Sequence, residues 1–125
     1  MRKLKKLLAV ASVAAMTLSL CACGGKKDDT YTVGICQLVQ HEALDAATKG
    51  FKDALVEEFG EDGIKFDEQN AQGDANTCAT IINGFVSSDV DLILANATGA
   101  LQAATQATAD IPILGTSVSD YATAL

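Results

Sequence analysis

Tyr31-Thr-Val-Gly-Ile-Cys-Gln37, followed by Glu42-Ala-Leu-Asp-Ala-Ala-Thr-Lys-Gly-Phe-Lys-Asp-Ala-Leu-Val-Glu-Glu-Phe59, is the stretch on which the fold turns. The first segment is β-rich and apolar, the pattern of a buried strand. In the second the period changes. Leu44, Ala47, Phe51, Leu55 and Phe59 fall three and four residues apart and make one helical face. Glu42 and Asp45 suit the positive end of a helix dipole, and Gly60 is a natural residue just past the helix end.

Downstream the alternation repeats. Ile64 to Asn70 (IKFDEQN) reads as a half-buried strand. Asp74 is placed to cap a helix that carries Cys78, Ile81, Ile82 and Phe85 on one stripe. Val90 to Ala95 (VDLILA) is a third strand. Thr98 is expected to cap a helix through Ala109, with Leu101, Ala104 and Ala107 facing inward. Ile111 to Ser117 is a fourth strand, with Pro112 near its start, where a missing N–H is tolerated. Apolar strands in the order βαβαβαβ argue an α/β fold with a parallel sheet covered by helices on both faces. Right-handed crossovers then favour a doubly wound sheet of order 2-1-3-4.

Upstream the chain has another character. Gly24 to Thr30 (GGKKDDT) is a polar tether without apolar period. Before it, Arg2, Lys3, Lys5 and Lys6 precede an uncharged, mostly apolar run from Leu7 to Leu20, the pattern of an export signal. Leu20-Cys21-Ala22-Cys23-Gly24-Gly25 resembles the bacterial lipobox, which places cleavage before Cys23 and a diacylglycerol on its sulfur. Cys21 fits less well, because the bulky Leu20 would precede the cut. The expected division is therefore a signal peptide over 1–22, a lipidated cysteine and tether over 23–30, and an α/β lobe over 31–125. That puts the protein outside the cytoplasm, on a lipid anchor in the bacterial cell membrane.

The 125 residues carry a net charge of −7, and four of the nine basic residues lie in the signal. From Cys23 on, five basic residues face sixteen acidic ones, a balance of −11. That sign argues against nucleic acid and against electrostatic docking on an anionic bilayer. The two acyl chains of one diacylglycerol suffice for stable retention instead. With Cys21 removed and Cys23 acylated, only Cys36 and Cys78 remain, and His41 is the single histidine. A zinc site is poorly supported by that set. The two cysteines read as buried free thiols, and the compartment also permits a disulfide.

In open α/β sheets ligands bind beyond the carboxyl ends of the strands, at the point where strand order reverses. Here the relevant loops are Leu38 to Glu42, Asn96 to Gly99 and Ser117 to Tyr121. Asn96-Ala97-Thr98-Gly99 offers a hydroxyl and free N–H groups at a helix start, either an anion site or ordinary capping. His41 reads as a loop residue or local cap, with ligand contact as the alternative. Gln37 and Gln40 carry amides able to bind a zwitterion or a sugar. No GxGxxG, Walker loop or GxSxG elbow is present, so phosphate binding and hydrolysis lack their usual residues. No cofactor or catalytic group is implied.

Val33 to Leu55 (VGICQLVQHEALDAATKGFKDAL) resembles the opening of the substrate-binding lipoproteins of ABC transporters that include tryptophan binders. Asn70-Ala-Gln-Gly-Asp74 resembles the loop after that family's second strand. Ala97-Thr98 with its Gln- and Ala-rich helix, then Asp110-Ile-Pro-Ile113, resembles its third helix and fourth strand. The resemblance implies a cleft lined by Gln37 to His41, Ala97 to Gly99 and Ser117 to Asp120, with Thr98 and the amides after it taking a carboxylate. Three residues depart from the pattern: Glu42 stands for a proline after the histidine, Gly99 for a proline after Ala-Thr, and Tyr121 where Asp-Pro is common. The resemblance further implies a type I periplasmic-binding-protein-like fold of two lobes, of which this chain supplies most of the first. The implied partners are a small solute, an amino acid such as an aromatic one, and an ABC permease. Alternatives on the same fold are a sugar or nucleoside binder, a ligand-sensing lipoprotein, and a flavodoxin-like surface enzyme.

Overall fold

The computed structural model describes residues 30–125, so the export segment, Cys23 and the tether through Asp29 lie outside the described residues. β1 (Tyr31–Gln37), α1 (Glu42–Phe59) and β2 (Ile64–Asn70) fall where the change of period placed them. α2 (Ala75–Ser87), β3 (Leu92–Asn96), α3 (Thr98–Ala107), β4 (Ile113–Thr116) and a short α4 (Tyr121–Ala124) follow. The later boundaries differ from expectation for local reasons. Asp89 turns at φ 54° and the Val90 N–H donates to Phe85 O, so the turn out of α2 delays β3 to Leu92. Thr108 leaves the helical region at φ −147°, and its hydroxyl accepts from the N–H groups of Asp110 and Ile111, which ends α3 early. Pro112 has no N–H for a ladder, and pairing of β4 starts at Ile113.

All strand pairs are parallel, and the order is β2-β1-β3-β4. The apolar runs that look continuous in sequence split by side. Val33, Ile35, Ile64 and Leu94 pack with Phe51, Leu55 and Val56 of α1 on one face. Cys36, Ile93 and Ala95 pack with Cys78, Ile82 and Phe85 of α2 and with Ala100, Leu101 and Ala104 of α3 on the other. Full burial of Phe85, Ile82 or Ile35 each contributes roughly 1.5–3 kcal/mol.

One close approach fixes a residue type. A Cβ at Gly34 would lie 2.6 Å from the Phe85 ring, which is itself fully buried. Only glycine lets that ring lie flat on β1. Phe59, expected on the inner stripe of α1, is instead 46 % exposed and meets the Tyr31 ring edge-on at 5.3 Å. Cys36 and Cys78 are free, buried thiols. Burial first, and then the neighbouring Cys78, pushes the Cys36 thiol up to about 12. Among the described residues no helix is long and apolar enough to cross a membrane.

Candidate functional site

Three loops leave the carboxyl edge of the sheet side by side. The Leu38 N–H donates to Asn96 O at 3.1 Å, joining the exit of β1 to that of β3. The Ala97 N–H donates to Thr116 O at 2.9 Å, and the Ser119 N–H to Thr98 Oγ1 at 3.4 Å, joining the exits of β3 and β4. Gly99 lies against Leu38: a Cβ there would stand 3.5 Å from the leucine methyl. Residues 38–41, 97–99 and 117–120, separated in sequence, therefore share one end of the molecule. Reversal of strand order between β1 and β3 puts the switch point between the first two loops.

The helix starts at this edge are not equivalent. His41 is the N-cap of α1, its Nδ1 accepting from the Ala43 N–H at 3.2 Å, so the local cap is present. Asp74 caps α2 by accepting from the Thr77 N–H, as expected. Asp120 caps α4 through the Ala122 N–H. The Thr123 hydroxyl, and then that N–H, hold the exposed Asp120 carboxyl below its usual range.

α3 alone of these starts has no side-chain cap. Thr98, expected to be the cap, is the first helical residue, and the capping position is Ala97 at φ 95°, ψ 161°. The first bond inside the helix runs from the Leu101 N–H to Ala97 O. The N–H groups of Thr98, Gly99 and Ala100 precede any i−4 partner and carry the positive end of the dipole. Ser117, at φ 57°, is exposed beside them.

Two of the sequence-predicted residues point elsewhere. Gln37 and Asn96 end β1 and β3 on the α1 side, with 4 % and 0 % exposure. They meet around Thr48 of α1, which is 3 % exposed and was missed in the sequence. Thr48 Oγ1 donates to Gln37 Oε1 at 2.8 Å and accepts from Asn96 Nδ2 at 2.9 Å. Asn96 Nδ2 also donates to Leu44 O, and Gln37 Nε2 donates to Val39 O and to Asp45 Oδ1 at 2.6 Å. Asn96 Oδ1 is left buried without a partner. Gln40 stands in the open, on the rim of a polar groove of about 390 Å³ completed by Gln37, Asp45, Glu68, Gln69 and Asn70. In the sequence Asp45 reads only as a helix-dipole residue, and Glu68, Gln69 and Asn70 are not named for the site, since acidic and amide side chains at a strand end look like ordinary surface.

Comparison with known proteins agrees with this architecture. The family described as ABC transporter substrate binding protein matches residues 32–124. A tyrosine-binding protein of Clostridioides difficile (strain R20291) is 51 % identical over 90 residues, 70 % of this chain and 26 % of that protein. The ligand-free, open structure of CD0873, a substrate binding protein with adhesive properties from Clostridium difficile, superposes with a TM-score of 0.72 at 48 % identity. That match covers 76 % of this chain and 33 % of the other. An ABC domain from Streptococcus pneumonia in complex with L-Trp gives a TM-score of 0.72 at 34 % identity, over 76 % of this chain and 32 % of its own. The chain thus spans about a third of the length of these solved relatives. A family match over nearly all the described residues, on the same parallel sheet, is decisive: the chain belongs to the ABC transporter substrate-binding protein family.

Proposed function

We propose that residues 31–125 act as the amino-terminal lobe of a two-lobed solute receptor that captures an amino acid of the aromatic class for an ABC permease. The observation that carries this reading is the uncapped start of α3 at the switch point. Its N–H groups at Thr98, Gly99 and Ala100 suit a carboxylate. The Thr98 hydroxyl, Ser117 and Asp120 flank it, and the exposed Asp120, ionised at neutral pH, is an acceptor of the kind an ammonium needs. Gln40 and His41 would close the opposite side, while Gln37 and Asn96 support the loops from beneath. The aromatic class is favoured by the tyrosine-binding and L-Trp-bound relatives. No bond is made or broken in this role. The binding energy would drive closure of two lobes, and one lobe alone would hold its ligand weakly, because half of the burying surface belongs to the other.

The direct test is calorimetric titration of the chain with L-tyrosine, L-tryptophan, a neutral sugar and a nucleoside. Weak, stereospecific binding of the amino acids, weakened when Thr98→Val removes the hydroxyl beside those N–H groups, is the expected result. Binding of the sugar or nucleoside in preference would overturn the reading. We further propose attachment to the membrane through a lipidated Cys23, a residue outside the described part. Cell fractionation checks it: Cys23→Ser should release the protein from membranes, and Cys21→Ser should not. The reverse pattern would move the lipid site to Cys21.

A further inference from the structure

We propose that Thr48, which lies outside the binding loops, is the positioning residue that holds two of them in register. A hydroxyl has one proton. Here it goes to Gln37 Oε1, so the Thr48 oxygen is left to accept from Asn96 Nδ2. Leu44 O can only accept, and it turns the same Nδ2 toward α1. The chain of bonds therefore runs one way, from Asn96 through Thr48 and Gln37 to the Asp45 carboxylate. Asn96, Thr48 and Gln37 are all more than nine-tenths buried, so water is poorly placed to replace a lost link.

Each end of this chain controls a loop. Gln37 is the last residue of β1, and its Nε2 also grips Val39 O inside the 38–41 loop. Asn96 is the last residue of β3 and leads directly into Ala97, Thr98 and Gly99; its own carbonyl accepts from the Leu38 N–H. One side-chain oxygen on α1 thus links the loops on both sides of the switch point. Replacing it with a methyl would leave Gln37 Oε1 without its donor and Asn96 Nδ2 with one acceptor fewer, next to an Asn96 Oδ1 that already lacks a partner. The relevance to ligand capture rests on the amino-acid reading above; the coupling itself does not.

Residue-resolved amide exchange on the full chain tests it, comparing Thr48→Val with Thr48→Ser. Thr48→Val should speed exchange of the Leu38, Ala71 and Ala97 amides roughly tenfold more than that of Val33 to Ile35, about the weight of one buried hydrogen bond. Thr48→Ser, which keeps the hydroxyl, should stay within about twofold of wild type at all of them. A uniform acceleration across the sheet, no acceleration, or a serine variant as fast as the valine one would each overturn the proposal. Should Thr48→Val fail to fold, the exposed Asp45→Ala cuts only the outer link. It should then free the Leu38 and Gly73 amides and spare Ala97, and equal effects at both loops would overturn the coupling. Titrating L-tyrosine into the same proteins separates the two readings. Absent binding with the local exchange pattern intact removes the amino-acid reading alone, and intact binding with uniform exchange removes the coupling alone.

Discussion

The two faces of the sheet solve different problems with the same strands. Toward α2 and α3 the surface is dry: Phe85, Ile82, Ile93, Cys36 and Cys78 are wholly buried among alanines, and Gly34 is cut down to admit a ring. Toward α1 the apolar part is small, four buried residues with half-buried partners, and the carboxyl end is given to the Gln37–Thr48–Asn96 network. Close packing without polar atoms stabilises most per residue but adjusts least. Hydrogen-bonded amides hold loops at defined positions. One face supplies stability and the other placement.

The strongest way to break that contrast is to empty each face in turn. Phe85→Ala should cost about 3–5 kcal/mol, since the ring is fully enclosed and leaves a cavity over Gly34. That is a large share of the 5–15 kcal/mol typical of a whole domain. Leu55→Ala, on half-buried α1, should cost under about 2 kcal/mol. Urea midpoints measure both, and equal losses would erase the distinction.

The thiols sharpen it through pH. In the unfolded chain Cys36 ionises near its ordinary value of 9.0, whereas burial and Cys78 raise it to about 12 in the folded one. Cys78 is raised as well, chiefly by burial. The folded state then holds protons that the unfolded state releases, so stability contributed by the buried neutral thiols is complete below pH 9 and is lost as pH rises through 9 toward 12. Denaturant titrations across that window should show a steeper fall for wild type than for Cys36→Ala. Parallel curves would mean that the thiol is hydrated.

Much of this was legible beforehand, and for a reason that varies along the chain. β1, α1 and β2 announce themselves by period, and the strand order followed from crossover handedness. The polar network did not. Gln37 and Asn96 are polar residues at strand ends, and nothing in their identity says which side they face. The missing clue was Thr48: Leu44, Thr48, Phe51 and Leu55 keep a helical repeat of three and four, so a threonine stood on the inner stripe beside Ala47. Hydrophobicity alone passed over it. The cap of α3 was misplaced by one residue because Thr98 looks like a cap, and the positive φ of Ala97 has no signature in an alanine.

That alanine carries the smallest effect and the finest comparison, between the starts of α2 and α3. At α2 an ordinary cap is in place, and Asp74→Ala should cost about 1 kcal/mol by freeing the Thr77 N–H. At α3 the backbone at φ 95°, ψ 161° belongs to glycine's territory, and a side chain held there costs of order 1–3 kcal/mol. Ala97→Gly relieves that strain but also loosens the unfolded chain, by about 0.4–1 kcal/mol in the opposite sense. The net expectation is a gain of roughly 0–2.5 kcal/mol, in line with the preference of a helix N-cap for glycine over alanine. A loss would mean that the Ala97 methyl, 9 % exposed, contributes more by packing than its conformation costs. A gain would mark the start of α3 as the place where this lobe gives up stability, at the same edge where its amides are left free.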